Sequence, residues 1–235
     1  MNNLNSPRIL KGVVPPVCTP FTADYRVDEK SLRKLINHLI DGGVHGLFIL
    51  GSTSEVAYLT DENRAEVIRI TMDEVQGRVP VVVGAIDTTT LRVIEHVNTA
   101  VAAGVEGIVI TAPFYVRTHL AEIANHFRLV KKACPNIPIY AYDIPVAVNG
   151  VKLDLGTILT LAKEGVIGGL KDSSGSDSGI RAVILEIKKL NLPSFVVLTG
   201  SELTVDSALM FGADGVIPGI GNIDPAGYVK IYDLV

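Results

Sequence analysis

Short, nearly unbroken runs of Val, Ile, Leu and Ala recur along the chain, separated by segments whose apolar residues fall on one helical face. The runs predict strands over 9–18, 46–50, 80–85, 107–113, 137–143, 165–171, 195–200 and 215–219. A strand with one wet face alternates apolar and polar residues. These runs do not, so each is expected to be a parallel strand buried on both sides. The stretches between them predict helices over 28–41, 60–76, 90–103, 120–133, 154–163, 180–190 and 203–211. In the first helix Leu32, Leu35, Ile36, Leu39 and Ile40 form the apolar stripe. In the second, Thr60 precedes Glu62 and Asn63, a capped start with acid in its first turn. Strands alternating with helices in this way predict an α/β fold, a single (β/α)8 TIM barrel over 1–235 that ends in its eighth helix.

A recurrence supports the same architecture. Gly43-Val44-His45-Gly46, Gly104-Val105-Glu106-Gly107, Gly165-Val166-Ile167-Gly168 and Gly212-Ala213-Asp214-Gly215 each close a helix and open a strand. The first three begin 61 residues apart (43, 104, 165), about two βα units. The leading glycine suits a helix end that must turn left-handed, so the repeat is read as structural. The last segment opens as a helix at Asp224-Pro225-Ala226, with Pro225 in its first position. Val235 follows about three turns on, and Val229, Ile231, Leu234 and Val235 need a surface to pack against. Further C-terminal residues are therefore expected beyond this sequence.

Composition narrows the function classes. The 235 residues suffice for one substantial core, with 48% hydrophobic and 20% charged residues. A formal charge of −4 without basic clusters offers no attraction to nucleic acid or an anionic membrane. Cys18 and Cys134 lie far apart with no metal-binding spacing and are read as free thiols of a reducing compartment, with a single disulfide as the alternative. The start, MNNLNSPRILKG, lacks the apolar run of a signal peptide, and no stretch approaches a membrane span. The cytoplasm is the expected address.

One lysine is out of place. Ten of the eleven fit solvated positions on helices or, for Lys11 and Lys152, ahead of elements. Lys171 instead ends an apolar strand, in Gly168-Gly169-Leu170-Lys171-Asp172-Ser173. In a barrel that end faces the active site. An amine losing hydration there has a depressed pKa, and a neutral amine attacks a ketone to give an imine. Position alone fits equally a lysine paired with Asp172 or capping a loop carbonyl. Tyr142 ends the preceding strand and could move protons in the same mouth, or serve as an aromatic plug. Tyr140, two residues back, is read as core filling. Gly51-Ser52-Thr53-Ser54-Glu55 follows the second strand and offers hydroxyls and free backbone N–H groups to a carboxylate. It is not a Walker motif. The five histidines show no metal-ligand spacing, and neither a metal nor another cofactor is expected.

At these residues the chain resembles the dihydrodipicolinate synthase/N-acetylneuraminate lyase family of class I aldolases. The resemblance runs from about Gly12 to Ala226 and rests on Thr19-Pro20-Phe21, Gly51-Ser52-Thr53-Ser54-Glu55, Pro113-Phe114-Tyr115, Tyr142-Asp143-Ile144-Pro145 and Gly169-Leu170-Lys171-Asp172-Ser173, in the family's order. It implies that Lys171 forms the imine with pyruvate or a related 2-keto acid. It further implies Tyr142 as acid/base, Ser52 and Thr53 as carboxylate holders, and Thr53 and Tyr115 as a relay to Tyr142. Gly200 and Ile217 would line the pocket through their backbones. The family's tyrosine at position 115 enters a neighbouring subunit's site, which implies a homo-oligomer, commonly a dimer of dimers. Helices following the barrel are also a family feature. Asp143 and Ser54 depart from the family's asparagine and glycine.

Dihydrodipicolinate synthases carry an arginine where this chain has Ala147, so an aldolase for a 2-keto-3-deoxy sugar acid, with pyruvate and an aldehyde as partners, is the expected member. N-acetylneuraminate cleavage and an imine-dependent dehydratase stay open. From other classes, the glycines at 212–215 and 218–221 would suit a phosphate-binding barrel isomerase, and a non-catalytic barrel would share the fold.

Overall fold

The computed structural model describes residues 10–235. Eight parallel strands alternate with eight α-helices: β1 (Gly12–Val13), α1 (Glu29–Asp41), β2 (Leu47–Ile49), α2 (Asp61–Val75), β3 (Val81–Gly84), α3 (Thr90–Ala102), β4 (Gly107–Thr111), α4 (Leu120–Ala133), β5 (Ile139–Asp143), α5 (Leu155–Lys163), β6 (Gly169–Asp172), α6 (Asp177–Lys189), β7 (Val196–Thr199), α7 (Val205–Phe211), β8 (Gly215–Val216) and α8 (Pro225–Asp233). Sequential neighbours pair from β2 to β8, and β8 pairs with β1. The circle closes where the Val17 N–H donates to the Phe48 carbonyl at 2.8 Å and the Phe48 N–H to that of Pro15 at 3.1 Å. The expected (β/α)8 barrel is the observed fold.

Every residue of the eight strands is buried, which is why they carry no polar alternation. The first strand shrinks from the predicted 9–18 to two residues, and Ile9 lies outside the described residues. Pro15 and Pro16 have no N–H to give a ladder, so the segment continues as an isolated bridge instead. Helix α6 begins at Asp177 rather than 180, because the Ser176 hydroxyl accepts from the Gly179 N–H and starts the helix before its apolar stripe. The Thr60 start is as predicted, its hydroxyl accepting from the Asn63 N–H. Gly43, Gly104, Gly165 and Gly212 have φ of +83°, +81°, +67° and +99°, as the repeated helix-to-strand corner requires.

Tyr140 fills the lower barrel, lying against the α-carbons of Gly107 and Gly169, where any side chain would collide with its ring. Both cysteines are free. Among the described residues, no helix is long and apolar enough to cross a membrane.

Candidate active site

Strands β5 and β6 set the centre. Their register places Tyr142 beside Lys171 and Asp143 beside Asp172. Side chains alternate along a strand, so Tyr142 and Lys171 share the interior face and the two aspartates the other. Lys171 is 4% exposed, its Nζ 3.9 Å from the centroid of the Tyr142 ring and 4.8 Å from that of Phe48. Phe48 and Tyr142 meet edge to face with centroids 6.3 Å apart. Lys171 makes no ion pair with a carboxylate among the described residues, so the pairing with Asp172 that its position allowed does not occur. Its polar partner is the Tyr142 phenol.

The charges follow from that seclusion. Burial pushes the Lys171 amine below the ordinary lysine range, and the adjacent phenol only partly offsets this. Burial pushes the Tyr142 phenol up. The Lys171 charge and hydrogen bonds from Ser52, Lys171 and Ser173 outweigh it and hold the phenol below its usual value. An amine and a phenol pulled towards each other in this way can exchange one proton at modest cost. Tyr140, one layer deeper, is pushed up to about 12 by burial and remains a packed, neutral phenol.

The turn after β2 supplies the next groups. The backbone N–H groups of Ser52 and Thr53 have no acceptor among the described residues. Beneath them Ser54 is fully buried. Its hydroxyl donates to the Val17 carbonyl and accepts from the Gly51 N–H, while Thr19 donates to the Ser54 carbonyl at 2.9 Å. Ser54 thus ties this turn to the end of β1. Thr53 directs its hydroxyl towards Gly219 in the loop after β8. Gly200, beyond β7, comes so close to Lys171 that an added Cβ would lie 3.1 Å from its Cε and 2.0 Å from the Ser173 Oγ. Ile217 is buried at the end of β8, with its N–H bonded to the Thr199 carbonyl at 2.8 Å.

The expected relay is not assembled within this chain: Thr53 is not among the partners of the Tyr142 phenol, and Tyr115 lies elsewhere. Tyr115 is 88% exposed with φ of +76° in the loop after β4, and it does not reach Tyr142 within the same chain. Sequence reasoning misses Ser173, although it follows Lys171 by two and so faces the same way. Lys152 is exposed, as expected, and its ammonium in addition bridges both aspartates.

Beside Ser52 opens a cavity of about 220 Å³ whose walls include Val56, Ile86, Phe114, Ile144 and Ala147. Glu55 is the one charged residue lining it, and no cation does. A larger cavity of about 400 Å³ lies at the opposite end of the barrel, around Pro138, Gly168 and Ser194, away from these groups.

A buried, unpaired amine facing a phenol at the C-terminal end of a (β/α)8 barrel, with free N–H groups opposite, defines the arrangement of a Schiff-base lyase. Comparison with known proteins agrees. The dihydrodipicolinate synthetase family model matches residues 9–235, and the chain belongs to that family. It is 34% identical over 224 residues to the 4-hydroxy-tetrahydrodipicolinate synthase of Methanothermobacter thermautotrophicus, covering 95% of this chain and 78% of that protein. It is 36% identical over 225 residues to YagE of Escherichia coli K12, provisionally named a 2-dehydro-3-deoxy-D-gluconate aldolase, covering 95% and 73%. The crystal structure of YagE in complex with pyruvate superposes with a TM-score of 0.90 at 35% identity, over 95% of this chain and 74% of YagE. The chain is accordingly a Schiff-base-forming enzyme of the pyruvate-dependent lyase and aldolase class. The isomerase and non-catalytic alternatives give way to it.

Proposed function

We propose that Lys171 is the imine-forming amine and that the enzyme cleaves or forms a 2-keto-3-deoxy sugar acid, with pyruvate as the imine-bound partner. The observation that carries the assignment is the seclusion of Lys171 against Tyr142 with no carboxylate to hold it charged. The neutral amine attacks C2 of the keto acid and water leaves. The N–H groups of Ser52 and Thr53 donate to the substrate carboxylate. Tyr142 takes the proton of the C4 hydroxyl as the C3–C4 bond breaks, and the electron pair enters the imine to give an enamine. The aldehyde departs, C3 is protonated, and water releases pyruvate and regenerates Lys171.

Tyr115, exposed on its left-handed turn, is proposed to act in the mouth of a second copy's barrel and complete a relay there with Thr53 and Tyr142. The sugar-acid substrate class is supported by the cavity at Ala147, where no cation is present to bind an aldehyde that carries its own carboxylate. Gly200 and Ile217 would line the keto-acid site through their backbones.

Borohydride reduction in the presence of pyruvate tests the central claim. One pyruvate-derived adduct is expected, at Lys171. No adduct, or an adduct at another lysine, would remove the assignment. A panel of 2-keto-3-deoxy acids assayed for pyruvate release, run beside aspartate semialdehyde condensation, tests the substrate class. Turnover confined to the condensation would overturn it.

A further inference from the structure

Two carboxylates lie buried side by side just behind the proposed imine site. Asp143 ends β5, Asp172 ends β6, and they are 1% and 4% exposed. Burial pushes the Asp143 carboxyl up, and the neighbouring Asp172 charge adds to that. Two such anions in one dry place are unfavourable unless a cation joins them. Lys152, from the loop between β5 and α5, is that cation. Its ammonium donates to Asp143 Oδ2, lies 3.7 Å from Asp172 Oδ2 and donates to the Ser174 hydroxyl at 3.0 Å. The remaining carboxylate oxygens are also engaged. Asp143 Oδ1 accepts from the Leu153 N–H at 3.1 Å and Asp172 Oδ1 from the Ser174 N–H at 2.8 Å.

The bridge therefore ties three segments at one point. One is the end of β5, a residue beyond Tyr142. Another is the end of β6, a residue beyond Lys171. The third is the β5–α5 loop, whose Ala147 and Val148 wall the cavity. The Ser173 N–H, bonded to the Asp143 carbonyl at 2.9 Å, extends the tie to a side chain that hydrogen-bonds the Tyr142 phenol. Neither aspartate shares the interior face with Lys171, so the bridge does not touch a substrate held there.

We infer that Lys152 is a positioning residue: by offsetting the repulsion between the buried Asp143 and Asp172 carboxylates it keeps the ends of β5 and β6 together, so that the Tyr142 phenol meets the Lys171 amine. This rests on the proposed roles of Lys171 and Tyr142. The bridge also gives the buried aspartate at 143 its counterion. An amide at 143 would still accept from the Leu153 N–H and would need no cation.

The test is a double-mutant cycle on the full chain with Lys152→Met, Asp143→Asn and the pair, each assayed for kcat, KM and borohydride trapping. Lys152→Met is expected to lower kcat tenfold or more while KM for the keto acid moves less than threefold, because the carboxylate grip at Ser52 and Thr53 belongs to the turn after β2, which the bridge does not tie. Asp143→Asn alone is expected within about threefold of wild type. Added to Asp143→Asn, the same Lys152→Met change is expected to cost less than threefold. Should Lys152→Met fail to fold, recovery of folded protein and turnover in the double variant supports the inference in the same way. Lys152→Met with wild-type kcat, or a double variant as impaired as the single one, overturns it. Failure of wild type itself to trap pyruvate at Lys171 would instead strike the reading on which the inference rests.

Discussion

Replacing Gly200 with alanine perturbs the packing around the amine while leaving every proposed reacting group chemically intact. The added Cβ would stand 2.0 Å from the Ser173 Oγ and 3.1 Å from the Lys171 Cε. Unstrained contact requires roughly 3.5 Å, so the serine hydroxyl must retreat by more than about 1 Å and the lysine stem by a few tenths. The hydroxyl is the free end of a short side chain and can rotate away, which keeps the stability cost at or below the ~1–3 kcal/mol of ordinary overpacking. What it cannot keep is its hydrogen bond to Tyr142. A hydrogen bond to a group that becomes charged contributes about 1.5–3 kcal/mol. At ~1.4 kcal/mol per decade, its loss in the proton-transfer step corresponds to a fall in kcat of roughly 10- to 100-fold. Steady-state pyruvate release gives kcat, and a circular-dichroism melt shows whether the variant is folded. A folded Gly200→Ala enzyme with kcat within twofold of wild type would refute both the contact and the role given to Ser173.

Three further outcomes are expected. Tyr142→Phe should lower kcat by ~10²–10⁴-fold while pyruvate trapping at Lys171 persists, and equal turnover in the two proteins would exclude the phenol from proton transfer. Lys171→Met keeps the stem and removes the cost of burying an amine, so it should abolish trapping yet raise Tm by a few degrees, at ~2–4 °C per kcal/mol for a chain of this size; an unchanged or lower Tm would mean that the amine is not stored at a cost. His126 is buried, and burial holds its pKa at about 4. The unfolded chain takes up a proton near pH 6.5 and the folded one only near 4, so stability is full above that window and falls as pH drops through it. The loss is on the order of 3 kcal/mol. Urea midpoints should show the decline from about pH 7 to about pH 4.5, and His126→Gln should flatten it; parallel curves would refute the attribution.

Much of the fold was legible in order along the chain. Apolar runs without alternation identified buried parallel strands, and glycines at 43, 104, 165 and 212 marked the corners between them. Both signals are local: one reflects burial on two faces, the other a single backbone angle. Lys171 was legible for the same reason, as a charged residue ending a run that had no room for one. Boundaries were less so. Pro15 and Pro16 shortened β1, and the Ser176 hydroxyl lengthened α6, because hydrogen bonds rather than hydropathy decide where an element ends.

What the sequence could not express is which residues meet across strands. Nothing near Lys152 in the chain announces that its ammonium lies between Asp143 and Asp172. That depends on the β5–β6 register and on how the following loop folds back. The same is true of Gly200, whose lack of a side chain matters only because β7 runs beside β6 and brings it against Lys171. Local chemistry named the reactive amine and the order of the elements around it. The closure of the barrel decided its partners, because a buried charge is set by whatever lies within a few ångströms of it, and those neighbours come from segments far apart in sequence.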